Sequence, residues 1–543
     1  MEKIKVGLVS LGCPKNLCDA ENMLYLIKEG GFEIINDASE ADVIVINTCA
    51  FIEAAQQEAI DTILEMAEHK KNGNCKGLVV SGCLSELFET EIAEQFPEVD
   101  AFIGTGSYDM IVPAIEAAAE GRKYESFEDK NDKITFACDR VLTNPGHYAY
   151  LKIADGCDNV CSYCLIPEIR GIYRSRPMED IIAEAEMLAK RGVKELILVA
   201  QDVTKYGVDL YNEYKLNDLL PELNKIDGIE WIRLQYLYPE RVHGDLLRVI
   251  EKCDKVLHYF DIPIQHANMR VLKKMGRLGN AHRLEILFGH IRRIFPDAVI
   301  RTSVIVGFPG EGEEEFNELL EFVKKIRFDR LGAFEFSPME GTDAYHMRNQ
   351  VPDEVKAERA AKIMEVQERI SFEKLQEKIK TKVKVMVDGF DTELNLYCGR
   401  TYGDSPDIDG LVYFGSMEYP DEGDIVTVEI LDVNEHDMYA REALDEEDEA
   451  LMKELGISDM GAMGIGVLNM ELMGGSLADI DLENLDPEEF LKNAQGSRYR
   501  LPKVDLSKAD IVFDEEEIEA MDDEELKSIS FVNTVKEDEN KED

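Results

Sequence analysis

Gly156-Cys157-Asp158-Asn159-Val160-Cys161-Ser162-Tyr163-Cys164 carries three cysteines at spacings of four and three, directly after a β-rich run from Tyr148 to Ile153. Thiols this close sit on one short loop and can share a single metal centre. A zinc site built on C-x-x-C needs a second pair of ligands, and none follows at the usual distance. Three thiolates without a fourth suit a 4Fe-4S cluster with one iron left open to a further ligand. The competing reading is a set of unrelated buried or disulfide-bonded cysteines.

Upstream of this loop, KVGLVSLGC (5–13), ADVIVINTC (41–49) and CKGLVVSGC (75–83) each read as a buried strand closing in a small or polar turn. Helical periodicity between them, over Asp19–Gly30 and Ile52–Lys70, predicts a doubly wound parallel sheet over residues 1–135. The carboxyl ends of parallel strands share one edge. Cys13, Cys49 and Cys83 therefore converge although more than thirty residues separate them, and they form a second three-thiol site. Cys18, Cys75, Cys138, Cys253 and Cys398 fit neither pattern and read as ordinary residues.

Downstream, a breaker at Asn144-Pro145-Gly146 separates this domain from a core over 145–375. Strand-like segments near Tyr150–Ile153, Glu195–Ala200, Trp231–Tyr236, Tyr259–Ile264, Val299–Val306 and Gly332–Phe336 alternate with helices such as Glu179–Arg191, Ala281–Phe295 and Glu313–Ile326. This is a partial (β/α)6 barrel, whose chemistry belongs at the carboxyl ends of its strands. Gln201 and Asp202, Gln265 and His266, and Gly307 through Glu311 fall there. Alone, His266 reads as a hydrogen-bonded structural histidine. A helix from about Asp353 to Lys378 leads into short strands over 376–445, a small antiparallel β-barrel. Its residues 377–442 hold 16 acidic and 6 basic side chains, an unfavourable face for a phosphate backbone. Residues 446–543 form an acidic extension whose composition predicts a disordered tail.

The whole chain of 543 residues has a formal charge of −51. That repels nucleic acid at long range and suits a basic protein partner. No run of 18 apolar residues predicts a membrane span, and eleven cysteines without a signal peptide predict the reducing cytoplasm.

Cys157, Cys161, Tyr163 and Cys164 resemble the C-x-x-x-C-x-aromatic-C motif of the radical S-adenosylmethionine enzymes. Two three-cysteine sites, a barrel and a small TRAM-like β-barrel, in that order, resemble the methylthiotransferase branch over residues 1 to about 445. Ser10-Leu11-Gly12-Cys13-Pro14-Lys15-Asn16 resembles the members that methylthiolate an aspartate of small-subunit ribosomal protein S-twelve; the tRNA-modifying members usually carry Gln-Met-Asn after that cysteine. Asn47-Thr48-Cys49-Ala50-Phe51-Ile52, Gly82-Cys83-Leu84 and Ile166-Pro167-Glu168-Ile169-Arg170-Gly171 also sit where that family has its signatures.

The resemblance implies two 4Fe-4S clusters and S-adenosylmethionine. Cys157, Cys161 and Cys164 would hold the radical-generating cluster, and Cys13, Cys49 and Cys83 an auxiliary cluster that carries the sulfur. Tyr163 would lie against the adenine, with Gln201, Asp202 and Gly307 holding the rest of the cofactor. It implies ribosomal protein S-twelve, free or in the ribosome, as substrate, an electron donor such as flavodoxin or ferredoxin, and no direct tRNA substrate. The tail exceeds that family's usual length. The alternatives are a tRNA adenosine methylthiotransferase and, in another class, a non-catalytic iron–sulfur scaffold or sensor.

Overall fold

The computed structural model describes residues 3–89, 91–131, 139–416 and 419–443. The expected disordered tail and Cys138 lie outside the described residues.

Six parallel strands form the first sheet: β1 (Lys5–Ser10), β2 (Glu33–Ile35), β3 (Val43–Thr48), β4 (Gly77–Gly82), β5 (Ala101–Ile103) and β6 (Tyr124–Ser126), in the order β2-β1-β3-β4-β5-β6. Alternate side chains of β3 and β4 pack on opposite faces. Ile44, Ile46, Leu78 and Val80 meet Ala59, Ile63 and Met66 of helix α2 (Glu53–Asn72). Val43, Val45 and Val79 meet Met23 and Ile27 of α1 (Pro14–Glu29) and the helix Ile111–Ala119. α1 starts at Pro14, not Asp19. Proline has no N–H to lose at the first helical position, so Pro14 opens the helix, and Cys13 becomes its N-cap.

The second sheet is parallel and runs β7 (Tyr148–Lys152), β10 (Glu195–Val199), β11 (Trp231–Leu234), β12 (Val256–Asp261), β13 (Val299–Val306) and β14 (Arg330–Glu335), neighbour to neighbour. It is an open, partial barrel with its helices packed on one face. β12 begins and ends about three residues before the expected segment, because Pro263 has no N–H for the ladder. β11 stops at Leu234, two residues before Tyr236 turns left-handed at φ 59°. Two short antiparallel strands, β8 (Ala154–Asp155) and β9 (Arg174–Ser175), bracket the Cys157–Cys164 loop.

The third unit is a closed barrel, β15 (Lys382–Asp391), β16 (Leu396–Arg400), β17 (Val412–Gly415), β19 (Met438–Glu442) and β18 (Ile425–Val433). Sequence patterning shows three of these strands, in KVKVMVDGF (382–390), GLVYFG (410–415) and DIVTVEILDV (424–433), and misses β16 and β19. The barrel is antiparallel except at β17–β19, which pair parallel. It is fastened to the second sheet by charge: Arg400 binds Glu195 on β10 (2.7 Å) and Asp388 (2.7 Å), while Arg233 on β11 binds the other Glu195 oxygen (2.7 Å). All but Asp388 are buried.

Candidate active site

β1, β3 and β4 are neighbours, so the turns after them share one edge. Cys13 caps α1, Cys49 follows Thr48, and Cys83 opens α3 (Cys83–Leu87). Gly12, at φ +92°, lets the first two turns touch: a Cβ there would stand 2.7 Å from Cys49 Cβ and 2.9 Å from its Sγ. Amide side chains tie the turns together. Asn16 Nδ2 donates to Leu11 O (2.7 Å) and Thr48 O (3.1 Å), and Asn47 Nδ2 donates to Asn16 O (2.8 Å). Thr48 Oγ1 donates to Ser81 O (2.5 Å) and accepts from Leu84 N (3.2 Å).

The three thiols differ in charge environment. Burial pushes Cys49 up and Cys83 up to about 12. Burial acts on Cys13 too, but the cations of Lys15 and Arg170 and the N–H groups of Asn16 and Lys15 outweigh it and lower this thiol.

The second set rides the loop after β8. Cys157 N donates to Gly171 O (3.0 Å), and both Asn159 N and Nδ2 lie 3.4 Å from Cys157 Sγ. Cys161 Sγ and the Tyr238 hydroxyl are 3.3 Å apart. Burial raises Cys164 to about 12. Tyr163 packs edge-on against Phe308, in a cluster with Met275 and Phe336.

Between the two sets lies a buried ionic network absent from the sequence reading. Lys152 Nζ binds Asp19 (2.5 Å) and Asp155 (2.7 Å). Arg170, at the end of the helix that follows Cys164, binds Asp19 (2.6 Å) and Asp155 (3.1 Å) with Nη1. Its Nη2 reaches Asn16 Oδ1 (2.8 Å) and Cys83 Sγ (3.5 Å). One guanidinium thus touches the Cys13 helix, Cys83 and the strand leading into Cys157. The one available signal was Arg170 itself, within a quoted family signature.

The barrel-mouth residues divide. Gln201 Nε2 donates to Asp155 Oδ1 (3.1 Å), while its buried Oε1 has no partner among the described residues. Asp202 is raised by burial against the pull of Arg241, and its oxygens are taken by Thr204 and Arg241. Gly307, at φ +73°, gives its N–H to Glu311 Oε2 (2.9 Å). Burial pushes Glu311 up to about 7 despite Arg359 at 2.9 Å. His266 is a buried neutral imidazole, lowered to about 3 by burial and then by Arg359, with Nδ1 accepting from Asn268 N (2.9 Å).

The donor chemistry fits iron–sulfur clusters: two sets of three free thiols, each on turns that meet. Among the described residues no three His, Cys, Asp or Glu gather tightly enough for one metal ion. A cluster asks for wider spacing, because each thiolate binds its own iron. Among the described residues, too, no helix is long and apolar enough to cross a membrane.

Three family models match: Uncharacterized protein family UPF0004 over residues 5–104, the Radical SAM superfamily over 151–323, and the TRAM domain over 379–442. The chain is 48% identical over 435 residues to the ribosomal protein uS12 methylthiotransferase RimO of Lachnoclostridium phytofermentans, covering 80% of this chain and 99% of that one. The Acetivibrio thermocellus protein of the same name is 49% identical over 448 residues (80% and 98%), and that of Clostridioides difficile 46% over 435 (80% and 98%). Among solved structures, the radical S-adenosylmethionine methyltransferase TsrM of Kitasatospora setae aligns with a TM-score of 0.47 at 13% identity, covering 63% of this chain and 77% of that one.

Proposed function

The chain belongs to the ribosomal protein uS12 methylthiotransferases, and on that premise we propose that it adds a methylthio group to the β-carbon of an aspartate in uS12. It is a radical S-adenosylmethionine transferase that uses two 4Fe-4S clusters. We assign Cys157, Cys161 and Cys164 to the radical cluster and Cys13, Cys49 and Cys83 to the auxiliary one. When bound, these groups and S-adenosylmethionine supply a 5′-deoxyadenosyl radical for hydrogen abstraction and a methyl group for the transferred sulfur.

The chain's own part is placement. Arg170 and Lys152 hold Asp19 of one domain against Asp155 of the other, which ties together the segments that bear the two thiol sets. Gln201, which keeps a free buried oxygen beside Asp155, and Tyr163 remain our assignments for holding S-adenosylmethionine. Asp202 and Gly307 are our further assignments for holding it, although Asp202 is bonded to Arg241 and the Gly307 N–H to Glu311. We place the reaction in the cytoplasm, with an electron donor such as flavodoxin or ferredoxin.

The observation that carries this reading is Arg170, which touches Cys83 and Asp155 at once. The test is a mass comparison of digested uS12 and of total tRNA from cells with and without the gene. A methylthio increment on an aspartyl peptide, lost in the deletion, supports it. Loss of a methylthioadenosine instead would reassign the substrate to tRNA.

A further inference from the structure

Three buried cations stand where the two thiol-bearing domains meet: Lys15, Lys152 and Arg170. Only two carboxylates serve them. Asp19 and Asp155 each bind both Lys152 and Arg170, so these four groups balance one another. Lys15 is the remainder. Asp19 lies one helical turn beyond it in α1, yet one Asp19 oxygen is bonded to Lys152 and the other to Arg170. Among the described residues no carboxylate pairs with the Lys15 ammonium, which stands instead over the Tyr236 ring of the other domain.

A buried ammonium without an anion gives up much of the solvation it has in water, and an aromatic face returns only part of it. Tyr236 has a left-handed backbone, φ 59°, that a bulky side chain rarely adopts. Its N–H is fixed on Asp261 Oδ2 (3.0 Å). Backbone held in such a region concentrates at working sites, where the surrounding structure imposes it. Here a strained residue sets a ring, and not an acid, against the cation. The charge is kept in place and left uncancelled.

We propose, on the uS12 reading above, that Lys15 receives the side-chain carboxylate of the target aspartate. The β-carbon that takes the methylthio group is bonded directly to the carboxylate carbon. Whatever brings that β-carbon to the Cys13, Cys49 and Cys83 set therefore carries the carboxylate into the same space. Lys15 is two residues after Cys13, in the first turn of α1. A carboxylate arriving there gains a charge-assisted hydrogen bond and completes the ion pair that the fold leaves open. An asparagine in its place has no charge to offer and leaves the ammonium unpaired. Lys15 thus selects the acid over its amide and fixes the group next to the reacting carbon.

The test reads affinity, without turnover. Cluster-loaded enzyme is titrated with purified uS12 and with uS12 whose modified aspartate, located by the mass comparison above, is changed to asparagine. The native enzyme should hold the aspartate form about tenfold more tightly, the size expected of one charge-assisted hydrogen bond. Lys15→Met should lose that preference, and Lys15→Arg, which keeps the cation, should recover part of it. Iron per chain shows whether each variant carries both clusters, and Lys15→Gln replaces the methionine variant if that one does not. Equal affinity of the native enzyme for both forms would overturn the proposal. So would a variant that weakens both forms by one factor, the mark of a cation that only ties the domains or balances the charge of the auxiliary group. Native enzyme that binds neither form and modifies tRNA instead would overturn the uS12 reading and this proposal with it.

Discussion

The Lys15 ammonium lies 3.5 Å from the centre of the Tyr236 ring. Lys15 is in the first turn of α1, two residues after Cys13, and Tyr236 follows β11 at the barrel mouth. The contact therefore spans the two thiol-bearing domains. Lys15 is 8% exposed and forms no ion pair among the described residues, so the ring carries much of its compensation. A desolvated cation–π pair contributes about 2 kcal/mol. Lys15→Met is expected to keep S-adenosylmethionine cleavage and lower methylthio transfer about tenfold, the rate equivalent of 1.4 kcal/mol of lost positioning. Product ratios of 5′-deoxyadenosine to methylthiolated peptide check this.

Gly12→Ala places a methyl 2.9 Å from the Cys49 sulfur, on a backbone at φ +92° that side chains avoid. The auxiliary site should then fail to load while the Cys157–Cys164 loop is untouched. Iron per chain is expected to fall to about half, with one of two clusters lost. Transfer should vanish while dithionite-driven 5′-deoxyadenosine formation persists; unchanged iron would contradict the assignment of Cys13 and Cys49 to one cluster.

Arg170→Met leaves Asp19 and Asp155 to share Lys152 alone. Removing one partner of a buried ionic group costs about 3–5 kcal/mol. A large fall in Tm is expected. Arg170→Lys should recover only part of it, because an ammonium cannot bridge two carboxylates and Asn16 with a planar fork.

Burial holds Glu311 at about 7, above its unfolded value, so the folded protein binds a proton there that the unfolded chain has released. Its contribution is fully present below about pH 4.5 and is lost as pH rises through about 7. Relative to Glu311→Gln, the native protein should lose stability on the order of 2 kcal/mol across that window. Parallel urea titrations at pH 5 and about pH 8 read this difference, and a pH-independent gap would exclude it.

Sequence patterning showed the Cys13, Cys49 and Cys83 turns because their strands are rich in Val, Ile and Leu and close in small or polar residues, a local signature. It did not show the start of α1, where Pro14 signals a break and a helix start equally well. β2, β5 and β6 have three residues each, too few for any period to register. The Asp19–Lys152–Asp155–Arg170 network was illegible for another reason. Lys152 is 133 positions from Asp19, and Arg170 is 151, and no local rule reports a pairing over such distances. The same holds for Lys15 and Tyr236. Ligands were readable from spacing, and the groups that set them against one another were not.

The charged fastening of the small barrel makes a module in sequence something other than a module in energy. The last barrel domain reads as an appendage, with its own hydrophobic centre and a long helix before it. Yet Arg400 inserts beneath β10, and a chain ending at Gln376 would leave Glu195 with Arg233 alone and open Trp231, Tyr259 and Val299 to water. Removing the barrel therefore takes one of the two cations from the buried Glu195 carboxylate and uncovers the apolar patch beside it, so the stability of the second sheet is shared with a domain that follows it in sequence.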